Sequence, residues 1–126
     1  SGIRVEFSGG RAVAIDAERG ADALRSAASS DEGASRLGEL ALVDGAGRIG
    51  PLGTVFFDTL IDENAASHIA LGGGYAHPVA DAEDKRKVNK SRVHIDFMIG
   101  SPALAVDGVT HDGDAVPLLR DGFWQI

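Results

Sequence analysis

The sequence contains no cysteine. That absence excludes disulfides, thiolate metal sites and a cysteine nucleophile together. No apolar run approaches the roughly 18 residues that cross a bilayer, and no basic-then-apolar stretch reads as an export leader. Positive charge is scarce: 12 Lys and Arg stand against 19 Asp and Glu, a net charge of −7. Phosphate backbones and anionic membranes are repelled by such a chain, so the expected partners include neither nucleic acid nor membrane. There is no G-x-S-x-G and hence no nucleophile elbow. The triple glycine Gly72-Gly73-Gly74 is followed by neither a Lys-Ser pair nor dinucleotide spacing, which makes it a poor phosphate cradle.

What is present is 126 residues, 44% hydrophobic and 25% charged. That is one globular domain in size and composition. The chain opens on Ser1 rather than Met, which reads as a trimmed chain or a piece of a longer protein.

Periodicity predicts an α+β fold: a mostly antiparallel or mixed curved sheet with one or two short helices. Ile3, Val5 and Phe7 alternate with polar residues, Ser8-Gly9-Gly10 turns the chain, and Val13 and Ile15 alternate again, which reads as a hairpin. A helix is expected from about 21 to 30. Asp31 is expected to cap a short turn that runs to Leu37 and closes at Gly38. Leu40 to Val43 is strand-like in its boundaries, and 45–53 reads as a loop. The segment 54–64 fits either helix or strand. His68 to Leu71 reads as a short buried strand and Val93 to Ile99 as the clearest one. The charged run 81–92 reads as a solvated loop. The tail reads as strands joined at Asp107-Gly108, Asp112-Gly113 and Asp121-Gly122, since Asp-Gly pairs favour turns.

Four places carry possible chemistry. In His94-Ile95-Asp96 the imidazole and carboxylate lie two apart, so on a strand they share a face, about 6.5–7 Å apart along the chain. Such a pair suits Zn²⁺, Co²⁺ or Mn²⁺, although an ordinary His–Asp pair at a solvent face is equally served by the spacing. Glu39, at the start of the apolar run, is either a solvated end or a ligand. The segment from Asp62 to His68 sets two acids, an amide, a hydroxyl and an imidazole beside a very apolar run. Tyr75, the only tyrosine, leaves the triple glycine and could offer its O–H to a developing oxyanion. His77 and His111 read as peripheral, and Asp112-Gly113-Asp114 as a turn without the further ligands of a calcium loop. Glu39, His68, His94 and Asp96 together are the N/O ligand set of a hydrolytic one- or two-metal site. A phosphate-ester hydrolase would need cations beside those ligands, and the basic residues cluster elsewhere in the sequence.

The joint pattern resembles the aminopeptidase T family, metallopeptidase family M29. The resemblance is carried by GELALVD (Gly38 to Asp44), FFDTLIDENAASHIALGGGY (Phe56 to Tyr75), NKSRVHIDFMIGS (Asn89 to Ser101) and VDGVTHDG (Val106 to Gly113). It implies a dinuclear, metal-dependent exopeptidase that removes N-terminal residues from peptides. Glu39, His68, His94 and Asp96 would hold the two divalent ions, zinc or cobalt with magnesium or manganese as alternatives. Glu39 would bridge them and act in catalysis with Tyr75. The resemblance also implies a cytoplasmic homodimer acting on peptides with a free N-terminus. The family site uses a further glutamate from an upstream segment that nothing here matches. The chain is therefore expected to be the C-terminal metal-binding part of a longer aminopeptidase. The competing reading is a non-catalytic module for dimerisation or domain packing.

Overall fold

The computed structural model describes residues 2–126. Three short helices and eight strands are arranged in three separate sheets. The α+β class is as expected, with the strands divided among sheets instead of joined in one and a third helix added. The chain forms two compact units. One holds the residues up to Leu40 together with Ile69–Asp96, the other Ala41–His68 with Phe97–Ile126.

The first unit opens with the expected hairpin, β1 (Arg4–Ser8) against antiparallel β2 (Arg11–Asp16). Gly9 and Gly10 both take positive φ, 56° and 74°, which is what a two-residue hairpin turn with the right strand twist demands. Helix α1 (Ala21–Ala28) follows, and Arg25 ties it back by donating to the Ile15 carbonyl at 2.8 Å. The expected turn after Asp31 forms, but Gly38 does not close it. Gly38 lies inside strand β3 (Leu37–Ala41), which begins three residues before the apolar run that suggested it. The Asp31 carboxylate accepts from the Gly33 N–H at 3.0 Å, the Ser91 hydroxyl at 3.0 Å and the Arg92 N–H at 2.9 Å. One side chain thereby fixes a tight turn to a segment sixty residues away.

Strands β4 (His68–Gly72) and β5 (His94–Met98) form as expected, and the sheet order is β3-β4-β5. At one end of this sheet three backbones come too close for side chains. A Cβ on Gly38 would lie 2.2 Å from the Gly72 carbonyl oxygen, and one on Gly72 would lie 2.1 Å from that of Val93. Asn89 bridges the crossing, its amide donating to the Gly33 carbonyl at 2.9 Å and the Gly72 carbonyl at 2.7 Å. Ala34, Ala70 and Leu71 are fully buried here. The charged run is not a loop: 82–87 is helix α3, capped by Asp81, which accepts from the N–H groups of Glu83 and Asp84.

The second unit resolves the ambiguous segment as a helix. Asp58 caps the single turn α2 (Thr59–Asp62), and a 3-10 turn continues it over Glu63–Ala65. The Ser67 hydroxyl is clasped by Val43, accepting from its N–H at 2.9 Å. The tail makes an antiparallel sheet, β6 (Val106–Val109), β7 (Ala115–Arg120) and β8 (Phe123–Trp124). Turns fall at Asp112-Gly113 and Asp121-Gly122, whereas Asp107-Gly108 lies within β6, opposite Pro117 and Val116. Asp107 instead pairs with the Arg120 guanidinium across that sheet.

Two predictions follow from the first unit. Gly38→Ala should destabilise the protein by about 1–3 kcal/mol or more, since the added carbon meets backbone that cannot rotate away. Urea denaturation of the purified chain checks this. Hydrogen bonds, the Arg92 N–H foremost and the Ser91 hydroxyl after it, hold the Asp31 carboxyl below its usual value of 3.8 against the opposing effect of burial. A depressed acid stabilises the fold fully above 3.8 and loses that contribution as pH falls through the lower folded value. Asp31→Asn should therefore be less stable than wild type at pH 7, with the gap narrowing only below pH 3.8.

Candidate metal centre

Four of the residues singled out in the sequence meet in the first unit. His94 and Asp96 leave β5 on one face, as their spacing predicts, with His94 Nε2 3.1 Å from Asp96 Oδ1. Glu39 arrives from β3, its Oε2 3.4 Å from the same nitrogen. One imidazole nitrogen thus stands between two carboxylates, each of the three side chains about a quarter exposed (22%, 24% and 28%). Two anions brought together in a half-buried place repel each other, and a cation among them relieves that repulsion. The donors are one borderline nitrogen and hard oxygens, with no thiolate, which suits zinc, cobalt or manganese.

The tautomer is equally telling. His94 Nδ1 lies 2.7 Å from the Gly73 carbonyl oxygen. A carbonyl only accepts, so Nδ1 carries a proton; Nε2 faces two carboxylates that also only accept, and it holds either a second proton or a cation seated among them. Metal-binding histidines are held in this way by a partner on the far nitrogen. The triple glycine now has a purpose other than a phosphate cradle: it lets the Gly73 carbonyl come up against His94. Tyr75 leaves the same turn and its ring lies 5.0 Å from that of His94. Tyr75, Glu39, Gly38 and His77 line one hollow. His77, expected to be peripheral, is exposed and lies on the rim of this hollow, its ring 5.8 Å from that of Tyr75. Only its place two residues beyond Tyr75 could have signalled this.

His68 lies in the second unit. It is 2% exposed, and its Nδ1 sits 3.0 Å from the Ala66 carbonyl. The same logic leaves Nε2 as its ligand nitrogen. Glu63 offers a carboxylate oxygen within 4.8 Å of the His68 ligand nitrogen. The sequence marked the segment from Asp62 to His68 without separating Glu63 from its neighbours. A helical turn between the two residues is what brings an acid five positions upstream back to the imidazole.

The family described as thermophilic metalloprotease (M29) matches residues 1–124. The chain is 49% identical over 130 residues to Aminopeptidase T of Thermus aquaticus, covering 99% of this chain and 32% of the relative. It is 41% identical over 132 residues to Aminopeptidase PepS of Streptococcus thermophilus, again over 99% of this chain and 32% of the relative. Among solved structures it is similar to wild-type AmpT from Thermus thermophilus, with a TM-score of 0.88 at 50% identity over 99% of this chain and 32% of that one. The chain belongs to the M29 family, and it spans about a third of the length of these relatives. Among the described residues no helix is long and apolar enough to cross a membrane.

With zinc bound, His94 and His68 should both keep the proton on Nδ1 and carry none on Nε2. Long-range ¹⁵N–¹H spectra of the two imidazoles distinguish this directly; a proton retained on His94 Nε2 with zinc bound would remove the argument for Nε2 as a ligand.

Proposed function

We propose that this chain is the C-terminal, metal-binding part of a longer metal-dependent aminopeptidase, one domain that removes N-terminal residues from peptides. The observation that carries the reading is His94, whose Nδ1 is committed to Gly73 while Nε2 faces Glu39 and Asp96. The family membership and the names of the relatives support the same activity. Glu39, His68, His94 and Asp96 would hold two divalent ions, zinc or cobalt with magnesium or manganese as alternatives, and Glu63 joins them as a candidate ligand. Two such cations make a water a stronger nucleophile at neutral pH and polarise a carbonyl.

The remaining work falls to side chains of this protein. Glu39 would take a proton from the attacking water. Tyr75, half-exposed beside His94, donates its phenolic hydrogen to the substrate oxygen that gains charge. The free amine of the peptide meets a surplus of carboxylates, consistent with a chain of net charge −7. In this reading the full-length protein is a cytoplasmic homodimer.

A second reading, a module for dimerisation or domain packing without bound metal, is favoured by one stretch of the second unit. Leu52, Val55, Phe56, Phe57, Leu60 and Ile61 are all exposed, Phe57 at 95% and with a positive φ of 58°. Apolar surface so concentrated marks a contact surface.

Calorimetric titration with zinc and cobalt tests the first reading. Micromolar or tighter binding is expected, with His94→Ala weakening it by about a hundredfold, in line with loss of a direct ligand. Binding unchanged in His94→Ala would overturn the assignment. Sedimentation over a concentration series tests the second: a dimer that Phe57→Ser dissociates, in protein that takes up no metal, is the outcome that would establish it.

A further inference from the structure

The charged run after Asp81 has no part in the centre described above. In the first unit it lines a groove of about 310 Å³ together with the turn before β3. Arg86, Lys87 and Lys90 come from the run, Arg36 and Glu32 from the turn, and Asn89 completes the contact. This reverses the local charge in a chain of net charge −7.

Lys87 is already neutralised by Asp84 at 2.9 Å and Glu83 at 3.6 Å. Among the described residues, Arg36, Arg86 and Lys90 have no acid partner and no side-chain hydrogen bond; Arg19, Arg48, Lys85 and Arg92 have none either, but none of those four lines this groove. Glu32 is the single acid on the lining. The end of α3 favours basic residues near its last turn, but Arg36 and Lys90 lie outside that helix. Three like charges gathered around Glu32 as their single counter-charge repel one another, and an anion between them turns the repulsion into attraction.

The frame under the groove is rigid. Arg36 is bridged to Arg11, its carbonyl accepts from the Gly72 N–H at 2.8 Å, and both bonds of the Asn89 amide go to backbone. Arg36 therefore stands on fixed backbone, while the exposed side chains of Arg86 and Lys90 are ordered on binding. Guanidinium forks match the oxygens of a phosphate, which also brings close to two charges at neutral pH where a carboxylate brings one.

We infer that this groove binds a phosphate group, free or carried on a small molecule. The inference stands independently of the metal centre. Its test is titration of the ¹⁵N-labelled chain with inorganic phosphate and, separately, phosphoserine, at ionic strength held constant with chloride. Saturable shifts confined to Gly33, Arg36 and 86–90 are expected, with a dissociation constant of about a millimolar or below. Tighter phosphoserine than phosphate identifies an ester as the source; the reverse order identifies the free ion. Arg86→Gln, a change on an exposed polar helix, should weaken binding about tenfold, and Glu32→Gln should strengthen it. Shifts reproduced by chloride alone, or affinity unchanged in Arg86→Gln and in Arg36→Gln, would overturn the inference.

Discussion

The crossing of three backbones at Gly38, Gly72 and Val93 is the constraint on which the candidate centre in the first unit depends. Glu39 and His94 each leave the chain one residue from it, after Gly38 and after Val93, and Tyr75 follows Gly74, whose own Cβ would lie 2.7 Å from the Gly38 carbonyl oxygen. The strands can come together there only because a Cβ is missing where it would lie about 2 Å from a carbonyl oxygen. Once they do, the Gly73 N–H bonds to the Val93 carbonyl at 2.8 Å, and the Gly73 carbonyl turns to His94 Nδ1. Packing and chemistry are the same event here. A residue with a side chain at Gly38 or Gly72 would move a strand and, with it, a donor atom. Asn89 extends the arrangement by holding the Gly72 carbonyl from one side and the Gly33 carbonyl from the other.

How legible this was in the sequence depends on how local the deciding force was. The hairpin from Arg4 to Asp16 was readable because alternation and a Gly-Gly turn decide it within the segment. So was His94-Ile95-Asp96, since a period of two fixes which side chains share a face. Helix α3 was not, because a helix with polar residues all round has no apolar stripe to announce it. Its support comes from the Asp81 cap and from Lys87 reaching Asp84 and Glu83. Gly38 looked like a terminator because glycine usually is one after a turn; its actual role is a contact with a strand more than thirty residues on. Asp107-Gly108 failed as a turn signal for a related reason. Pairing with β7, including a bulge between Val106 and Asp107, outweighed the local preference.

The candidate residues divide along the same line. Identity and short spacing pointed to His94, Asp96 and Tyr75. Glu39 and His68 were candidates only as members of a joint N/O set, since no local pattern distinguishes them from an ordinary strand end and an ordinary core histidine, and the family resemblance gave them their roles. Glu63 escaped because its relation to His68 rests on a turn that the apolar residues around it left ambiguous. His77 escaped because an exposed histidine before a proline carries no pattern at all.

Both candidate histidines are oriented by a backbone carbonyl, Gly73 for His94 and Ala66 for His68, and this has a consequence for how the centre tolerates change. A carboxylate in that position would add negative charge beside acids that already repel each other. A carbonyl fixes the ring through the same donor nitrogen at no such cost. It also makes the orientation depend on where the chain runs rather than on one more side chain. Substitutions that preserve the chain path at Ala66 and Gly73, on either side of β4, therefore preserve the ring each carbonyl orients, and those that shift the path disturb a ring they never touch.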